Sequence, residues 1–538
     1  MSEVRMNANG KTVFLGAGLA TLLAWGAACS GGDPTPVVVG PPSGASSGSG
    51  MSSGNNAGTG SGSSSGFGSG VSTGTGSGNS SGAGAGTGSG SGGSSGSTVS
   101  DDAGSSGASG SSGSPATSGD GGSSPGSGSS GSVATSGSAG SGSTNTGTNG
   151  VGPNCGKDDP NLAGIEPKMP TTVCKTLTPG TDIQAALNSC AGMGAVKLTG
   201  AASFSASSLT MGAGAVLWID AGVTLNLTGS GTPGVISVTG ANAGIYGEGT
   251  IDAKGAGSGT TMIHSSGDKF VLYKVHLHNS QKMHVKVQGA GFVIWGNTLI
   301  TPPTASNTDG IDPGAGQHGV NTTGGYIVCN VVTVGDDQIA IKGATGMVSN
   351  LTIAHNYFGA GHGMSIGSET GPGGIDGVNV YDLTIDGDYY PGASAVNANA
   401  IRIKSYNGAG GPVDHITYKN ICARNLHNAI LITPNYTQGT VSGGGAPLFG
   451  NVSITDFHLL KGSGSQTPVI GITGTSGALK TSVTLDNVVV DGLTTPIAPS
   501  NATVTVGPGG ASPGVKSATD GSPHPLDCSS RFITFPTN

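Results

Sequence analysis

The chain has 538 residues, a formal net charge of -8 and only 9% charged residues, which argues against nucleic acid or acidic lipid as its default partner. Residues 30–152 are almost wholly glycine, serine, threonine and alanine. Such a segment cannot bury enough apolar surface to offset the entropy of ordering, so we predict a disordered tether at 30–152. One folded domain is predicted at 153–538.

Residues 1–29 have the layout of a secretory signal. Arg5 and Lys11 precede an uncharged run at 12–28, and Cys29 follows small residues. The position of Cys29 favours a lipoprotein signal in which this cysteine is acylated, although Gly26 stands where leucine is usual. Plain secretion and an uncleaved anchor are the alternatives, but the run is short and glycine-broken for a spanning helix. We expect an outer-membrane lipoprotein exposed at the cell surface, or otherwise a secreted protein, with the membrane contacted only through the lipid anchor.

The remaining cysteines are even in number, as expected for disulfides in an exported chain. They are Cys155, Cys174, Cys190, Cys329, Cys422 and Cys528. Fifteen connectivities are open, and the favoured bridge is Cys174–Cys190, because these two bracket a predicted helix. No Cys-x-x-Cys occurs, so a zinc site has no support.

The predicted helix begins near Thr181 and is the one convincing helix of the folded part. Thr181 is the expected N-cap, Asp182 suits the positive N-terminal end, and Ile183, Ala186 and Leu187 form an apolar stripe. A short amphipathic helix before a long β-region fits a lid over the first turn of a β-solenoid.

From Ala195 onwards, short apolar runs alternate with glycine, asparagine and aspartate, a pattern typical of strands and tight turns. Several runs end on an amide or acidic residue: Asn297, Asn330, Asn356 and Asp382 follow one another at intervals of 33, 26 and 26 residues. Self-similarity of this size indicates a solenoid. Asparagine tolerates a left-handed backbone and can form ladders between coils, so the pattern predicts an all-β, single-stranded parallel β-helix. A β-propeller is the alternative, but the segment lengths vary too much.

Four motifs carry the chemistry of the chain. They are Asn307-Thr308-Asp309, Gly335-Asp336-Asp337, Gly361-His362-Gly363 and Arg402-Ile403-Lys404. Each alone could be a solvated turn or strand face. Counted from the preceding asparagine, however, Asp336, Asp337 and His362 fall at similar points of successive coils. Asp309 comes later in its coil, and the loop at 301–304 is expected to absorb the excess.

Three crowded acids repel one another, so at least one should have a raised pKa and hold its proton. Carboxylates in such a group supply a proton donor and a water activator, while Arg402 and Lys404, on one side of a strand, can hold an anion. The combination indicates hydrolysis of a negatively charged sugar polymer.

These motifs, in this order, resemble glycoside hydrolase family 28, the polygalacturonases, over about 181–436, with Tyr436 as the last member. The resemblance implies a right-handed, pectin-lyase-like parallel β-helix that hydrolyses α-1,4 linkages of galacturonan with inversion. It implies Asp336 as general acid, Asp309 and Asp337 as water activators and His362 as the residue that tunes Asp336. Substrate contacts would come from Asn307, Arg402, Lys404 and Tyr436. No metal or other cofactor is implied, and we expect a monomer whose partner is a pectic polysaccharide.

The chain departs from the family at Gln338, where many fungal members have cysteine, and at a long segment between Asp376 and Asn399 that bears on endo or exo action. Acids on adjacent coils could also lie closer than the 6.5–9.5 Å usual for inverting enzymes, which by itself would suggest retention. The alternatives are a rhamnogalacturonan or xylogalacturonan hydrolase, a calcium-dependent pectate lyase, and a non-catalytic β-helix that binds polysaccharide at the cell surface.

Overall fold

The computed structural model describes residues 154–316, 319–388, 399–437, 445–462, 467–477, 481–512 and 523–533. The predicted signal peptide and tether lie outside the described residues, as do residues 389–398 of the segment between Asp376 and Asn399. The described part contains strands, one α-helix, α1 (Ile183–Cys190), and one 3-10 helix (Pro160–Leu162). Neither helix is long and apolar enough to cross a membrane.

The strands are short and follow one another closely along the chain. In chain order they are β1 Val173–Leu177, β2 Ala195–Leu198, β3 Ser203–Ala206, β4 Leu209–Met211, β5 Val216–Ile219, β6 Thr224–Leu227, β7 Ile236–Val238, β8 Gly244–Tyr246, β9 Thr250–Asp252, β10 Ile263–Ser265, β11 Val271–Tyr273, β12 His276–His278, β13 Val285–Val287, β14 Val293–Trp295, β15 Thr298–Ile300, β16 Ile311–Pro313 and β17 Thr322–Thr323. They continue with β18 Tyr326–Val328, β19 Val331–Thr333, β20 Ile339–Ile341, β21 Val348–Ala354, β22 Tyr357–Phe358, β23 Met364–Ile366, β24 Ile375–Tyr381, β25 Thr384–Asp386, β26 Asn399–Lys404, β27 Pro412–Arg424, β28 Asn428–Thr433, β29 Leu448–Phe449, β30 Val452–Leu460, β31 Val469–Ile472, β32 Thr481–Val490 and β33 Ala502–Val506.

The strands pair in parallel with strands of the neighbouring coils. A ten-stranded sheet runs in the order β4, β7, β10, β13, β16, β20, β23, β26, β28 and β31. The other strands form a 23-stranded sheet with two series of pairings, one through β2, β5 and β8 and one through β3, β6 and β9. The prediction of an all-β, right-handed parallel β-helix is therefore confirmed.

The core lies inside the coils, because alternate residues of each strand point inward. In β20, Ile339 and Ile341 belong to the core while Ala340 lies between them on the outer face. Aligned apolar residues stack from coil to coil, as with Ile339 opposite Met364. Burying one such side chain contributes about 1.5–3 kcal/mol, so the stacked column strongly favours this register.

A buried asparagine ladder fixes the register at one corner. The backbone N–H and side-chain Nδ2 of Asn297 donate to Asn330 Oδ1 at 3.0 and 2.9 Å. The same groups of Asn330 donate to Asn356 Oδ1 at 2.9 and 3.0 Å. The predicted ladder, with its steps of 33 and 26 residues, is confirmed for these three positions.

The predicted continuation of the ladder to Asp382 is wrong by one position. Tyr357 pairs with Thr384, so Asn356 lies opposite Leu383, which is a buried core residue. Asp382 lies instead opposite His355, and both have left-handed backbone, with φ of 52° and 55°. The laddering asparagines and the left-handed corner residues thus occupy adjacent but different positions of the coil.

Helix α1 covers the N-terminal end of the core, as predicted, with its apolar stripe packed on β2 and β4. The expectation that Thr181 caps the helix is wrong. Asp182 is the N-cap, because its side chain accepts from Ala185 N–H at 2.9 Å, while the Thr181 hydroxyl donates to Thr178 O. Cys190 ends the helix.

The described residues contain three disulfides. The predicted Cys174–Cys190 bridge is confirmed. Cys155–Cys329 fastens the N-terminal segment, and Cys422–Cys528 fastens the C-terminal segment to β27.

Candidate active site

The ten-stranded sheet brings the four motifs together along one edge, formed by the N-terminal ends of four consecutive strands. Four core residues are aligned in its consecutive strands: Ile311, Ile339, Met364 and Ile401. The residues two positions earlier therefore form a row, which consists of Asp309, Asp337, His362 and Asn399. Gly310 N–H donates to Asp337 O at 2.9 Å, which seats Asp309 beside Asp337. The prediction that the preceding loop absorbs the longer spacing of Asp309 is thus confirmed.

The loop that carries His362 is held by backbone geometry and by Gln338. Gly361 and Gly363 have φ of 148° and 93°, and a Cβ on Gly363 would lie 2.0 Å from Asn399 O. The Gln338 side chain donates to Gly359 O at 2.8 Å and accepts from Gly363 N–H. The glutamine that replaces the family's cysteine therefore fixes this loop by hydrogen bonds.

Asp336 is the accessible carboxylate of the group. Its side chain is 24% exposed, and its Oδ1 lies 2.9 Å from His362 Nδ1. Asn307 N–H donates to Asp336 Oδ2 at 3.2 Å. Burial raises the pKa of Asp336, but the His362 hydrogen bond and the charges of His362 and Lys404 outweigh it, so that pKa lies below the ordinary value.

Asp337 is buried and surrounded by donors. Arg402 Nη2 contacts Asp337 Oδ1, Lys404 Nζ lies 3.1 Å from Oδ2, and the Ser365 hydroxyl donates to Oδ1 at 2.7 Å. Burial alone would raise the pKa of Asp337, but the charges of Arg402 and then Lys404 hold it well below its usual range. Asp337 is therefore a firmly ionised carboxylate and a weak base.

Asp309 is equally buried but has a different balance. Burial raises its pKa, the Lys342 charge lowers it, and the negative charges of Asp336 and Asp337 raise it further. The net pKa of Asp309 is above the ordinary value, as predicted for one of the three acids, but burial contributes more to this than repulsion by Asp336 and Asp337. The raised pKa does not fall on Asp336, the implied proton donor, because His362 and the nearby cations favour the ionised form there.

The predicted substrate-binding cations lie on one strand face, as expected, but both side chains are buried against an acid of the site. Arg402 and Lys404 both contact Asp337, and their side chains are 2% and 6% exposed. Lys404 Nζ lies 4.9 Å from the centre of the Tyr436 ring, which is half-buried. Asn307 is exposed beside Asp336. All eight predicted site residues therefore lie in one connected region.

Sequence reasoning missed three residues of this region. Lys342 Nζ lies 3.2 Å from Asp309 Oδ2 and 3.4 Å from Asp312 Oδ2, and Ser365 bonds to Asp337 as described. A signal for Lys342 was available. Lys342 stands two residues after Ala340, and Lys404 stands two residues after Arg402. Because alternate residues of a strand share a face, both lysines are expected on the outer face of the sheet.

One ligand atom each of Asp336, Asp337 and His362 could face a common point, since these atoms lie within 4.8 Å of one another. Two cationic side chains already contact Asp337 from the same region, and their charge opposes a bound metal ion. We therefore assign these three residues no metal.

Glycoside hydrolases use a pair of carboxyl groups, one as the proton donor and the other as the base or nucleophile. The outer face of this parallel β-helix carries three carboxyl groups, with an imidazole and two cations beside them. The chain belongs to the glycosyl hydrolases family 28, whose family model matches residues 172–508.

The chain is 31% identical over 395 residues to a polygalacturonase of Ralstonia nicotianae (strain ATCC BAA-1114 / GMI1000), which covers 58% of this chain and 72% of that protein. It is 34% identical over 377 residues to an endo-polygalacturonase of Pectobacterium carotovorum subsp. carotovorum, covering 60% and 88%. Among solved structures, the polygalacturonase from Erwinia carotovora ssp. carotovora matches with a TM-score of 0.53 and 30% identity, covering 63% of this chain and 98% of that one.

Proposed function

We propose that the chain hydrolyses α-1,4-galacturonosidic bonds of polygalacturonan by an inverting general acid/base mechanism. The observation that carries the proposal is the union, at one edge of the ten-stranded sheet, of an accessible carboxyl with two buried carboxylates and two cations. Membership of family 28 and the named polygalacturonases among its relatives support the same substrate class.

Asp336 is proposed as the proton donor, because it is the most accessible of the three acids and can reach a glycosidic oxygen. Its lowered pKa in the free protein favours the ionised form. A bound polyanionic chain would exclude water and add negative charge beside Asp336, and both effects raise that pKa and favour the protonated form. The donor is therefore expected to become protonated as substrate binds.

Asp309 and Asp337 are proposed to hold the attacking water. Because basicity follows pKa, Asp309 is the better proton acceptor, while Asp337 orients the water as a fixed negative charge. The water oxygen bonds to the anomeric carbon as the glycosidic C–O bond breaks. The leaving oxygen takes the Asp336 proton, and Asp309 takes the water proton. Attack opposite the leaving group inverts the anomeric centre.

The remaining residues are proposed to seat the substrate. Lys404 and Tyr436 lie together at the cleft, where an ammonium and a ring can receive a uronate carboxylate and its sugar. Arg402 is proposed to act in the same subsite while it also holds Asp337. Asn307, exposed next to Asp336, is placed to contact the sugar at the cleaved bond.

The experiment is release of reducing ends from polygalacturonate, with rhamnogalacturonan and xylogalacturonan as parallel substrates. Asp336→Asn should lower kcat on polygalacturonate by about 10²-fold or more, the usual contribution of general acid catalysis. Asp376→Asn is the matched control, because Asp376 is an exposed acid whose side chain contacts His415. Greater activity on either branched polymer would replace polygalacturonan as the substrate.

Further readouts separate the remaining alternatives. Proton NMR of the first-formed anomer should show inversion, and retention would contradict the proposed water attack. Unsaturated products that absorb in the ultraviolet and disappear with a chelator would indicate a lyase. Binding of polygalacturonate without any released sugar would indicate a non-catalytic binder.

We also propose that the chain is exported and acylated at Cys29. The residue pattern before Cys29 supports this, as do the three disulfides, since such bridges persist in oxidising compartments. Incorporation of labelled palmitate by the wild type and its loss in Cys29→Ser is the expected result. Equal labelling of both, or of neither, would contradict acylation at this position.

A further inference from the structure

Lys342 bridges two buried carboxyl groups at the edge of the site. Its Nζ lies 3.2 Å from Asp309 Oδ2 and 3.4 Å from Asp312 Oδ2. The side chains of Asp309 and Asp312 are 6% and 2% exposed, so water screens neither contact strongly. Neither catalysis nor substrate seating, as proposed above, uses Lys342 or Asp312.

The two carboxyl groups differ in their partners. Neither side-chain oxygen of Asp312 has a hydrogen-bond partner among the described residues, and Lys342 is its ion-pair contact there. Burial, followed by the charge of Asp309, raises the pKa of Asp312 well above its ordinary value. The neutral form is thus favoured more strongly at Asp312 than at Asp309, and Lys342, which donates a hydrogen bond to Asp309, acts chiefly on that carboxylate.

Other charged and titratable groups face this cluster from every neighbouring strand. On the preceding coils, His284 contacts the Asp309 carbonyl and Lys286 is aligned with Asp312. On the following coils, the negative charges of Asp336 and Asp337 act on Asp309. The positive groups around Asp337 and the acid that acts on Lys342 complete the set: His362, Arg402, Lys404 and Glu369. Within this set, Lys342 is the cation that forms an ion pair with the Asp309 carboxylate.

We propose that Lys342 is a positioning residue that keeps the buried Asp309 carboxylate ionised and turned to the cleft, so that Asp309 can accept the proton of the attacking water. Without this cation, Asp309 would face two other acids from a buried position and would take up a proton at a higher pH. The inference rests on the proposed function, because it concerns the base of that reaction.

The test is the pH profile of kcat/KM on polygalacturonate for the wild type and three variants at position 342. In Lys342→Met, the acidic limb should move to higher pH by about one to three units, the shift expected when an opposite charge within 4–6 Å is lost. Lys342→Gln, which keeps a hydrogen-bond donor, should show the same shift and serves if the methionine variant does not fold. Lys342→Arg keeps the charge and should retain the wild-type limb.

Asp312→Asn is the matched control in the same contact. Because the proposal treats Asp312 as neutral, the acidic limb of the Asp312→Asn profile should stay within about 0.3 pH unit of the wild-type limb. An unchanged limb in Lys342→Met or Lys342→Gln would overturn the role of Lys342, as would a shifted limb in Lys342→Arg. A limb displaced to lower pH in Asp312→Asn would show that Asp312 is ionised and would overturn the division of charge. Failure of the wild type to cleave polygalacturonate would refute the proposed function instead.

Discussion

Asp337→Asn should destabilise the fold although it changes neither size nor shape. The Asp337 carboxylate receives Arg402, Lys404 and the Ser365 hydroxyl in a site where the arginine and the acid are each 2% exposed. An asparagine can still accept from Ser365, but it leaves two buried cations without their shared negative partner. The variant therefore isolates the charge of Asp337 from its packing.

The expected loss follows from the burial of the pair. Removing one partner of a buried ion pair costs about 3–5 kcal/mol, because an uncompensated charge stays in a low-dielectric site. With two cations left at 2% and 6% exposure, we expect about 4 kcal/mol. Asp220→Asn is the matched control. Asp220 pairs with Lys197 at 3.0 Å with both side chains about a quarter exposed, and its loss should cost at most about 1 kcal/mol.

The destabilisation should also depend on pH with a defined sign. The pKa of Asp337 is held below its unfolded value by Arg402 and Lys404, so its ionised form favours the folded state. That contribution is fully present above the unfolded pKa of about 3.9 and is lost as pH falls toward the folded pKa. The difference between wild type and Asp337→Asn should be constant from about pH 7 to 5 and should shrink below about pH 4.

Urea unfolding followed by circular dichroism, at a series of pH values, measures both quantities. A free energy of unfolding for Asp337→Asn within about 1 kcal/mol of the wild type near pH 6 would refute the stabilising role of the Asp337 charge, because losses that small are typical of exposed pairs. A difference between the two proteins that stays constant below about pH 4 would refute it as well.

Three further variants probe other contacts of the site and its scaffold. His362→Ala removes the hydrogen bond that lowers the pKa of Asp336, so the alkaline limb of the kcat profile should move to higher pH while kcat falls. An unmoved limb would argue against the tuning of the Asp336 pKa by His362. Lys404→Ala should lower kcat as well as raise KM, because this ammonium also holds a buried carboxylate, and initial-rate kinetics with an effect on KM alone would contradict that double role. Asn330→Ala removes four side-chain hydrogen bonds and should lower the free energy of unfolding by about 3–6 kcal/mol, whereas Asn226→Ala removes one and should cost about 1 kcal/mol; equal losses in urea titrations would count against the ladder.

The fold was predictable because a solenoid is local in sequence. Each coil is built from residues close together in the chain, so the period of the asparagine ladder gave the register of Asn297, Asn330 and Asn356. The period failed at Asp382, which is a left-handed corner residue one position before the ladder position, where Leu383 stands. Both positions accept polar residues, and the letters alone do not separate them.

The eight predicted residues form one region because their motifs begin or end aligned strands. The charge states of the acidic residues could not be predicted in the same way. Crowding indicated that one acid should have a raised pKa, but only the contacts decided that it is Asp309 and not Asp336. Lys342 escaped notice because its partners Asp309 and Asp312 lie one coil earlier, about 30 residues away in the chain.

The sequence by itself determined the parallel β-helix, the glycosidase-type motifs and their common edge, since periodic burial and motif order are properties of the linear chain. Only the tertiary structure decided that Arg402 and Lys404 form ion pairs with Asp337, and that Lys342 forms one with Asp309. Charge pairing depends on distances of a few ångströms between coils and on the water excluded there, and these arise only once the coils are stacked.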